Sequence, residues 1–185
     1  MTDSSTNDSS TNDIGTLERT GARWRLRFTR DLDHPPEKVW RAITEREHLA
    51  AWFPHLITGE WTVGGTLIFA DPEGRGPDFH GEVLAYAPPS LLEFSWGPDV
   101  IRLEVSARAG GCTLVLLDTL DERGKAARDG AGWHECLDLL AAHLDGAGVL
   151  WSPGAKWSAI HPSYVAAFGP EAATIGPPPG WEPKP

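Results

Sequence analysis

Apolar and polar residues alternate along several short segments of the chain, which is the pattern of half-buried strands. Trp24, Leu26 and Phe28 alternate with arginine and threonine in the first such segment. Further along, turn signals rich in glycine and proline recur about a strand-length apart. The intervals between these turns alternate in the same way, with apolar positions at Leu92, Phe94, Trp96, Ile101, Leu103, Val105, Leu114 and Leu116. This spacing predicts an antiparallel sheet with one apolar face and one polar face.

Helical patterns lie on either side of the predicted sheet. Pro35 and Pro36 stop the first strand and open a short helix, because proline is tolerated in a first helical turn. A capping box formed by Thr44 and Glu47 predicts a second short helix, which ends at Pro54. A long amphipathic helix follows the sheet, and its apolar stripe is Trp133, Cys136, Leu137, Leu140, Ala141 and Leu144. The stripe must be buried and the sheet offers an apolar face, so the predicted fold class is α+β.

Several segments of the chain resemble those of a known family. Residues 35–44 (PPEKVWRAIT) and 47–53 (EHLAAWF) resemble the opening of the AHSA-type family of the START-like (SRPBCC) superfamily. Later segments fit the same family, namely VGG at 63–65, GEV at 81–83, PP at 88–89, LEFSW at 92–96 and GW at 132–133. The resemblance implies a helix-grip fold, in which a curved antiparallel sheet of about seven strands surrounds a long C-terminal helix. It also implies two small helices after strand 1.

The two ends of the chain differ in composition from the middle. The pentapeptide Ser-Ser-Thr-Asn-Asp occurs twice among the first thirteen residues, and so polar a run cannot offset the entropy of ordering it. We therefore expect a disordered tail over 1–20, a START-like domain over 21–147 and a disordered proline-rich tail over 176–185. Residues 148–175 are too apolar for a free linker. We expect this extension to fold back on the domain, over a cavity mouth or against a second subunit, with one or two helical turns over 163–168.

Charge and cysteine content limit the classes of partner. The 185-residue chain has a formal net charge of −10, whereas nucleic acids and anionic membranes bind positive surfaces, so neither is expected as a partner. Cys112 and Cys136 form no CxxC pattern and are expected to be buried thiols of a reducing compartment. The sequence shows no secretion signal and no membrane-spanning apolar run, so a cytoplasmic location is expected.

The resemblance further implies a pocket between the sheet and the long helix, lined by side chains from both. The candidate ligand-binding residues are Trp24, Phe28, Phe69, Phe79, Phe94, Trp96, Leu103, Leu116, Asp118, Trp133, Leu137 and Leu140. Asp118 is the charged member of this set. Continuing the alternation of Leu114 and Leu116 places it on the inner face, where a carboxylate needs a donor, water or a ligand. The alternative is that the strand has already ended and Asp118 begins the loop.

The sequence offers little catalytic chemistry. It has no nucleophile motif, and His134-Glu135 lacks the second histidine four residues on that a metalloprotease helix carries. No catalytic residue, metal or cofactor is therefore predicted.

Three hypotheses for function remain. The leading one is non-catalytic binding of a small hydrophobic or aromatic molecule by a carrier or sensor. The first alternative is a polyketide cyclase-like or hydrolase-like enzyme that uses the same cavity. The second is a module that interacts with a chaperone. It is less favoured because, in the eukaryotic activator that this family resembles, a separate N-terminal domain carries much of the chaperone contact, whereas only about twenty residues precede the first strand here. A homodimer and the identity of the ligand are left open.

Overall fold

The computed structural model describes residues 14–148 and 154–177. The expected tails therefore lie outside the described residues over 1–13 and 178–185, as do residues 149–153 of the expected extension. The strands are β1 (Thr16–Thr20), β2 (Arg23–Leu32), β3 (Leu56–Gly59), β4 (Thr66–Ala70), β5 (Phe79–Ala87), β6 (Leu91–Trp96), β7 (Asp99–Arg108) and β8 (Gly111–Leu120). The α-helices are α1 (Pro36–Thr44), α2 (Arg46–Leu49), α3 (Ala126–Leu144) and α4 (Ala155–Phe168). Two short 3-10 helices span Arg123–Lys125 and Pro170–Ala172.

The strands form one antiparallel sheet of eight strands in the order β1-β2-β8-β7-β6-β5-β4-β3. Its curved face holds α3, so the predicted helix-grip fold is confirmed. Alternation decides which side chains face the helix, as in β2, where Leu26 and Phe28 are buried while Arg27 and Thr29 are exposed.

The sheet has one strand more than the expected seven, because β1 forms within the segment assigned to the N-terminal tail. Its sequence, Thr-Leu-Glu-Arg-Thr, contains a single apolar residue. The strand lies at the edge of the sheet and pairs with β2, and the Arg25 side chain donates to Glu18 Oε1 at 2.9 Å. A polar edge strand has no buried face to impose alternation, so the hydrophobic pattern cannot reveal it.

The two small helices after β2 were expected, but the predicted capping box is wrong. The first helix begins at Pro36, directly after the extended residue Pro35 (φ −64°, ψ 149°). Thr44 ends this helix instead of starting the next, and its hydroxyl donates to the Trp40 carbonyl oxygen at 2.7 Å. A threonine hydroxyl that bonds back to the preceding turn cannot cap a following helix. The second helix begins at Arg46.

The long helix α3 supplies the side of the core opposite the sheet. It buries Trp133, Leu137, Leu140 and Leu144, four residues of the predicted apolar stripe. It begins at Ala126, so six of its residues precede the family motif at 132–133. Within the residues that the structure describes, no helix is both long enough and apolar enough to cross a membrane.

The C-terminal extension forms α4, which lies against α3. Tyr164 is fully buried at this contact; its hydroxyl accepts from the Gly15 backbone N–H at 3.1 Å and lies 3.0 Å from His134 Nδ1. The sequence indicated helical turns only after Pro162, yet this proline lies inside the helix. The turns before it are anchored by Trp157, whose Nε1–H donates to the Arg128 carbonyl oxygen at 2.9 Å. Tertiary contact therefore extends the helix across a residue that usually starts one.

Two glycines of α3 approach α4 differently, and this difference predicts opposite effects of the same substitution. A Cβ atom on Gly130 would lie 2.7 Å from Tyr164 Cδ1, whereas one on Gly132 would lie 4.0 Å from Trp157 Cδ1. We expect Gly132→Ala to raise the free energy of unfolding by ~0.5–1 kcal/mol, because alanine is the better helix former. Gly130→Ala should lower it by ~1–2 kcal/mol, because the tyrosine ring must move.

Urea unfolding of both variants measures this difference. The helix-propensity gain is common to the two positions, so the gap between them isolates the contact with Tyr164. Equal stabilisation by the two substitutions would contradict the α3–α4 contact.

Candidate ligand pocket

A pocket of about 330 Å³ lies where α3 meets the end of β6 and the C-terminal extension. This volume is at the lower end of the ~300–1,000 Å³ typical of small-molecule sites. Its lining residues are Pro54, Trp96, Arg128, Asp129, Gly132, Trp133, Glu135, Cys136, Gly154, Trp157 and Pro177. The pocket is thus large enough for a compact organic molecule.

Three tryptophans from three different elements form its walls. Trp96 ends β6 and Trp133 lies on α3, with their ring centroids 5.5 Å apart and their planes at 56°. Trp157 of α4 stacks on His161 with the centroids 4.5 Å apart and the planes at 12°. Indole rings held in this way give rigid, mainly apolar walls that suit an aromatic or aliphatic ligand.

Polar groups at the edge of the pocket are already engaged with the protein. Arg128 donates from Nε and Nη2 to the two carboxylate oxygens of Asp129, at 2.6 and 3.1 Å. Glu135 accepts from the Gly154 backbone N–H at 3.0 Å and so ties α3 to the start of α4. These contacts fix the edge and leave the tryptophans as the main apolar surface of the pocket.

The sulfur group at the pocket is not a nucleophile. Both cysteines are free thiols, with Cys112 buried and Cys136 partly buried. Burial raises the pKa of the Cys136 thiol to about 12. The thiolate, which is the nucleophilic form, is therefore not populated at neutral pH.

Asp118 lies within β8, which continues to Leu120, so the alternative that Asp118 begins a loop is wrong. Its side chain is fully buried. Trp133 Nε1–H donates to Asp118 Oδ2 at 2.7 Å, while Oδ1 has no hydrogen-bond partner among the described residues. Loss of hydration, together with the charges of Asp99 and Asp129, raises the pKa of Asp118 well above its usual value.

The charges around Asp118 explain why the neutral acid is favoured. Carboxylate oxygens of Asp99, Asp118 and Asp129 lie within 4.8 Å of one another. Lys125 Nζ lies 2.5 Å from Asp99 Oδ2, and the Arg128 guanidinium bonds Asp129. Asp121 also bonds Lys125, and Arg23 lies 3.8 Å from Asp99, so the neighbouring cations are already matched by carboxylates and a negative charge on Asp118 would have no counter-charge of its own.

The structure brings only part of the predicted site to the pocket. Trp96 and Trp133 line it, and Asp118 lies directly behind Trp133. Seven of the other predicted site residues are buried in the hydrophobic core instead, namely Phe28, Phe69, Phe94, Leu103, Leu116, Leu137 and Leu140. Phe79 packs against that core, and Trp24 lies beneath the Arg123 guanidinium, which is 4.4 Å from its ring centroid. A ligand contact by any of these residues stays a prediction.

Phe53 connects the buried phenylalanines of the sheet to the two tryptophans at the pocket. Its ring lies between the sheet and α3, and its centroid is 5.6–6.5 Å from those of Phe69, Phe94, Trp96 and Trp133. These rings pack against one another in the hydrophobic core, and a cavity at that place stays a prediction. The pocket lies beyond them, on the side that faces α4.

Sequence reasoning missed most of the remaining lining residues for identifiable reasons. Arg128, Asp129 and Glu135 lie off the apolar stripe of α3 and therefore resemble a solvated face. Two signals in the sequence do point to the pocket: Gly132 belongs to the GW motif at 132–133, and Trp157 lies in the extension that is too apolar for a free linker.

The sequence model of the family described as "Activator of Hsp90 ATPase homolog 1-like protein" matches residues 33–145, which is more than half of the chain. The chain belongs to this family. The predicted AHSA-type membership of the START-like superfamily is thereby confirmed. The family match ends with α3, so α4 and its contribution to the pocket lie outside it. None of the curated proteins matches the chain.

Solved structures share the fold at low sequence identity. CalU16 from Micromonospora echinospora is 24% identical, with a TM-score of 0.68, and the alignment covers 85% of this chain and 98% of that chain. The conserved protein of unknown function EF2215 from Enterococcus faecalis is 22% identical, with a TM-score of 0.67 and coverage of 82% and 88%. These similarities establish the fold of the chain.

Proposed function

We propose that the chain binds a small hydrophobic or aromatic molecule as a non-catalytic carrier or sensor, in the pocket between α3, the end of β6 and α4. The observation that carries this proposal is the pocket of about 330 Å³ with walls formed by Trp96, Trp133 and Trp157. Membership of a family that typically binds small hydrophobic ligands supports it.

The state of the polar groups favours binding over catalysis. General acid–base catalysis needs a titratable group within hydrogen-bond reach of the reacting atom. At the pocket, Asp129 is held by Arg128 and the thiol of Cys136 is protonated. Asp118 lies behind the indole of Trp133, to which it is hydrogen-bonded.

One observation favours a second candidate function, a polyketide cyclase-like or hydrolase-like enzyme. Asp129 lines the pocket, and its carboxylate lies within 4.8 Å of that of Asp118, which favours the protonated form. An acid and a carboxylate held this close can exchange a proton with a bound molecule that reaches Asp129. Turnover of a compound that binds would distinguish this enzyme from a carrier.

Binding is tested by a thermal-shift screen against fatty acids, flavonoids, polyketide-like aromatics and isoprenoids, followed by titration of tryptophan fluorescence. A ligand at ~100 times its dissociation constant stabilises the folded state by about 2.7 kcal/mol, which moves the melting temperature by several degrees. A screen with no shift for any compound would overturn the proposal.

A pair of substitutions at Gly132 locates the ligand. Gly132→Leu adds a side chain that enters the pocket beside Trp157, whose Cδ1 is 4.0 Å from the new Cβ position. We expect at least a tenfold loss of affinity, because even ~1.4 kcal/mol of lost contact changes the dissociation constant by this factor. Gly132→Ala is the matched control and should bind as the parent protein does. Equal affinity of the leucine variant and the parent would place the ligand elsewhere.

A further inference from the structure

Two histidines from different helices meet at a surface that is separate from the ligand pocket. His48 of α2 and His143 of α3 face each other, with His48 Nδ1 2.9 Å from His143 Nε2. Neither residue lines the pocket. The His48 side chain is 30% exposed, so an ion in solution can reach it.

The separation of these nitrogens is close to that of two imidazoles on one metal ion. Zinc–nitrogen bonds of about 2.0–2.1 Å at a tetrahedral angle place the two nitrogens ~3.3 Å apart. The observed 2.9 Å therefore has to widen by only ~0.4 Å. The ring centroids are 5.1 Å apart and the planes are inclined at 59°. In the metal-free pair one of the two nitrogens donates this hydrogen bond. With the His48 proton on Nε2, the donor is His143 Nε2–H, so metal binding requires the His143 proton to move to Nδ1; a small rotation of the two partly exposed side chains then lets both lone pairs converge on one ion.

Glu45 orients His48 for this role. Its Oε2 atom lies 3.3 Å from His48 Nε2, on the opposite side of the ring from His143. A carboxylate at this place favours a proton on Nε2 and leaves the Nδ1 lone pair directed at His143. Metal-binding histidines generally have such a partner on their second nitrogen.

Neighbouring groups hold Glu45 in place and add negative charge. Arg41 donates to both carboxylate oxygens of Glu45, at 2.8 and 3.2 Å. The Glu47 carboxylate lies within 4.8 Å of ligand atoms of Glu45 and His48. The surface therefore presents two imidazoles beside two carboxylates, of which Glu45 is paired with Arg41, and the positive charge of the Lys38 ammonium acts on His143.

We propose that His48 and His143 form a binding site for a divalent transition-metal ion of the zinc class, with Glu45 positioning His48. Imidazole nitrogen suits zinc, copper and nickel ions, and water completes the coordination. The bound ion links α2 to the last turn of α3. No local sequence pattern predicts this pair, because its members are 95 residues apart and no i,i+4 histidine spacing marks them.

The test uses the full chain without a histidine tag, freed of metal by a chelator and titrated with Co²⁺ and then Zn²⁺. We expect one equivalent of Co²⁺ to bind with visible d–d absorption, and Zn²⁺ to displace it. His48→Ala and His143→Ala should each weaken binding at least tenfold. Glu45→Gln should weaken it by about 10-fold, as loss of an orienting partner does.

Two further variants keep the result interpretable. His80→Ala, at an exposed histidine on β5, is the matched control and should keep the dissociation constant of the parent. His143→Gln removes the metal ligand but keeps a polar side chain, so a folding defect of the alanine variant cannot imitate lost binding. Absence of Co²⁺ binding by the parent, or unchanged binding by folded His48→Ala and His143→Gln, would overturn the proposal.

Discussion

Replacing Tyr164 with alanine is expected to lower the free energy of unfolding by ~3–5 kcal/mol, the range for truncating a large buried aromatic residue. The Tyr164 ring is fully buried, with centroids 6.3 Å from Phe28 and 5.4 Å from Phe168. Its hydroxyl joins the N-terminal segment at Gly15 to His134 of α3. The substitution therefore leaves a cavity and also removes the junction of three separate segments.

The loss of stability should be largest in α4, which should open locally at a lower free energy than the whole domain unfolds. Chemical denaturation measures the total effect, and hydrogen exchange of the α4 amides measures the local opening. Tyr164→Phe is the matched control, because it keeps the ring and removes only the hydroxyl. It should cost ~1–3 kcal/mol, since the Gly15 N–H loses its acceptor in a buried position. An alanine variant as stable as the parent would show that α4 does not depend on this contact.

The parts of the fold that could be predicted from the sequence are those in which one face is buried and the other is exposed. The stripe of Trp133, Leu137 and Leu140 predicted α3, and Leu26 with Phe28 predicted β2, because burial against a partner imposes a regular period. Strand β1 shows no such alternation of apolar and polar residues, since its residues are mostly polar and at least partly exposed at the sheet edge.

The inward orientation of Asp118 could also be predicted, because it lies two residues after Leu116 and four after Leu114 on the same face of the strand. The length of that strand could not be predicted. β8 lies between β2 and β7, and Asp118 is paired with Leu26 on one side and Ile101 on the other. Pairing on both sides extends the strand past a charged residue that would end an isolated one. Topology, which a local pattern does not contain, therefore decided between the two alternatives.

The pocket could be predicted only in part, because its position depends on how individual side chains turn. Phe53 belongs to a segment that resembles the family, yet the sequence does not show that its ring packs against Trp96 and Trp133. Trp157 lies outside the residues that match the family, and it reaches the pocket only because α4 docks on α3. Contacts between distant segments fix such positions.

Asp118→Asn is expected to stabilise the protein at neutral pH, by an amount that depends on pH. The pKa of Asp118 is raised in the folded state, so above the unfolded value of about 3.9 the folded state binds more protons than the unfolded state does. The free energy of unfolding of the parent therefore falls as pH rises, by ~1.4 kcal/mol per pH unit, until the folded pKa is reached. Asparagine has no proton to lose, so the variant lacks this slope.

The geometry allows asparagine to replace the neutral acid. Its amide oxygen can accept from Trp133 Nε1–H, as Asp118 Oδ2 does at 2.7 Å, and its NH₂ group can donate toward the carboxylates of Asp99 and Asp129. Urea unfolding from pH 4.5 to 7.5 measures the difference between variant and parent, which should grow with pH. A difference that stays constant over this range would show that Asp118 is ionised in the folded protein.

Trp133→Phe is a control that should change the pH dependence of the free energy of unfolding in the direction opposite to Asp118→Asn. It removes the hydrogen bond that favours the charged form of Asp118, so the pKa of Asp118 should rise further and the slope should continue to higher pH.

In a carrier, Asp118→Asn should leave ligand affinity nearly unchanged, because Asp118 lies behind the wall of the pocket. In an enzyme that relays a proton from Asp118 through Asp129, the same substitution should abolish turnover while binding persists.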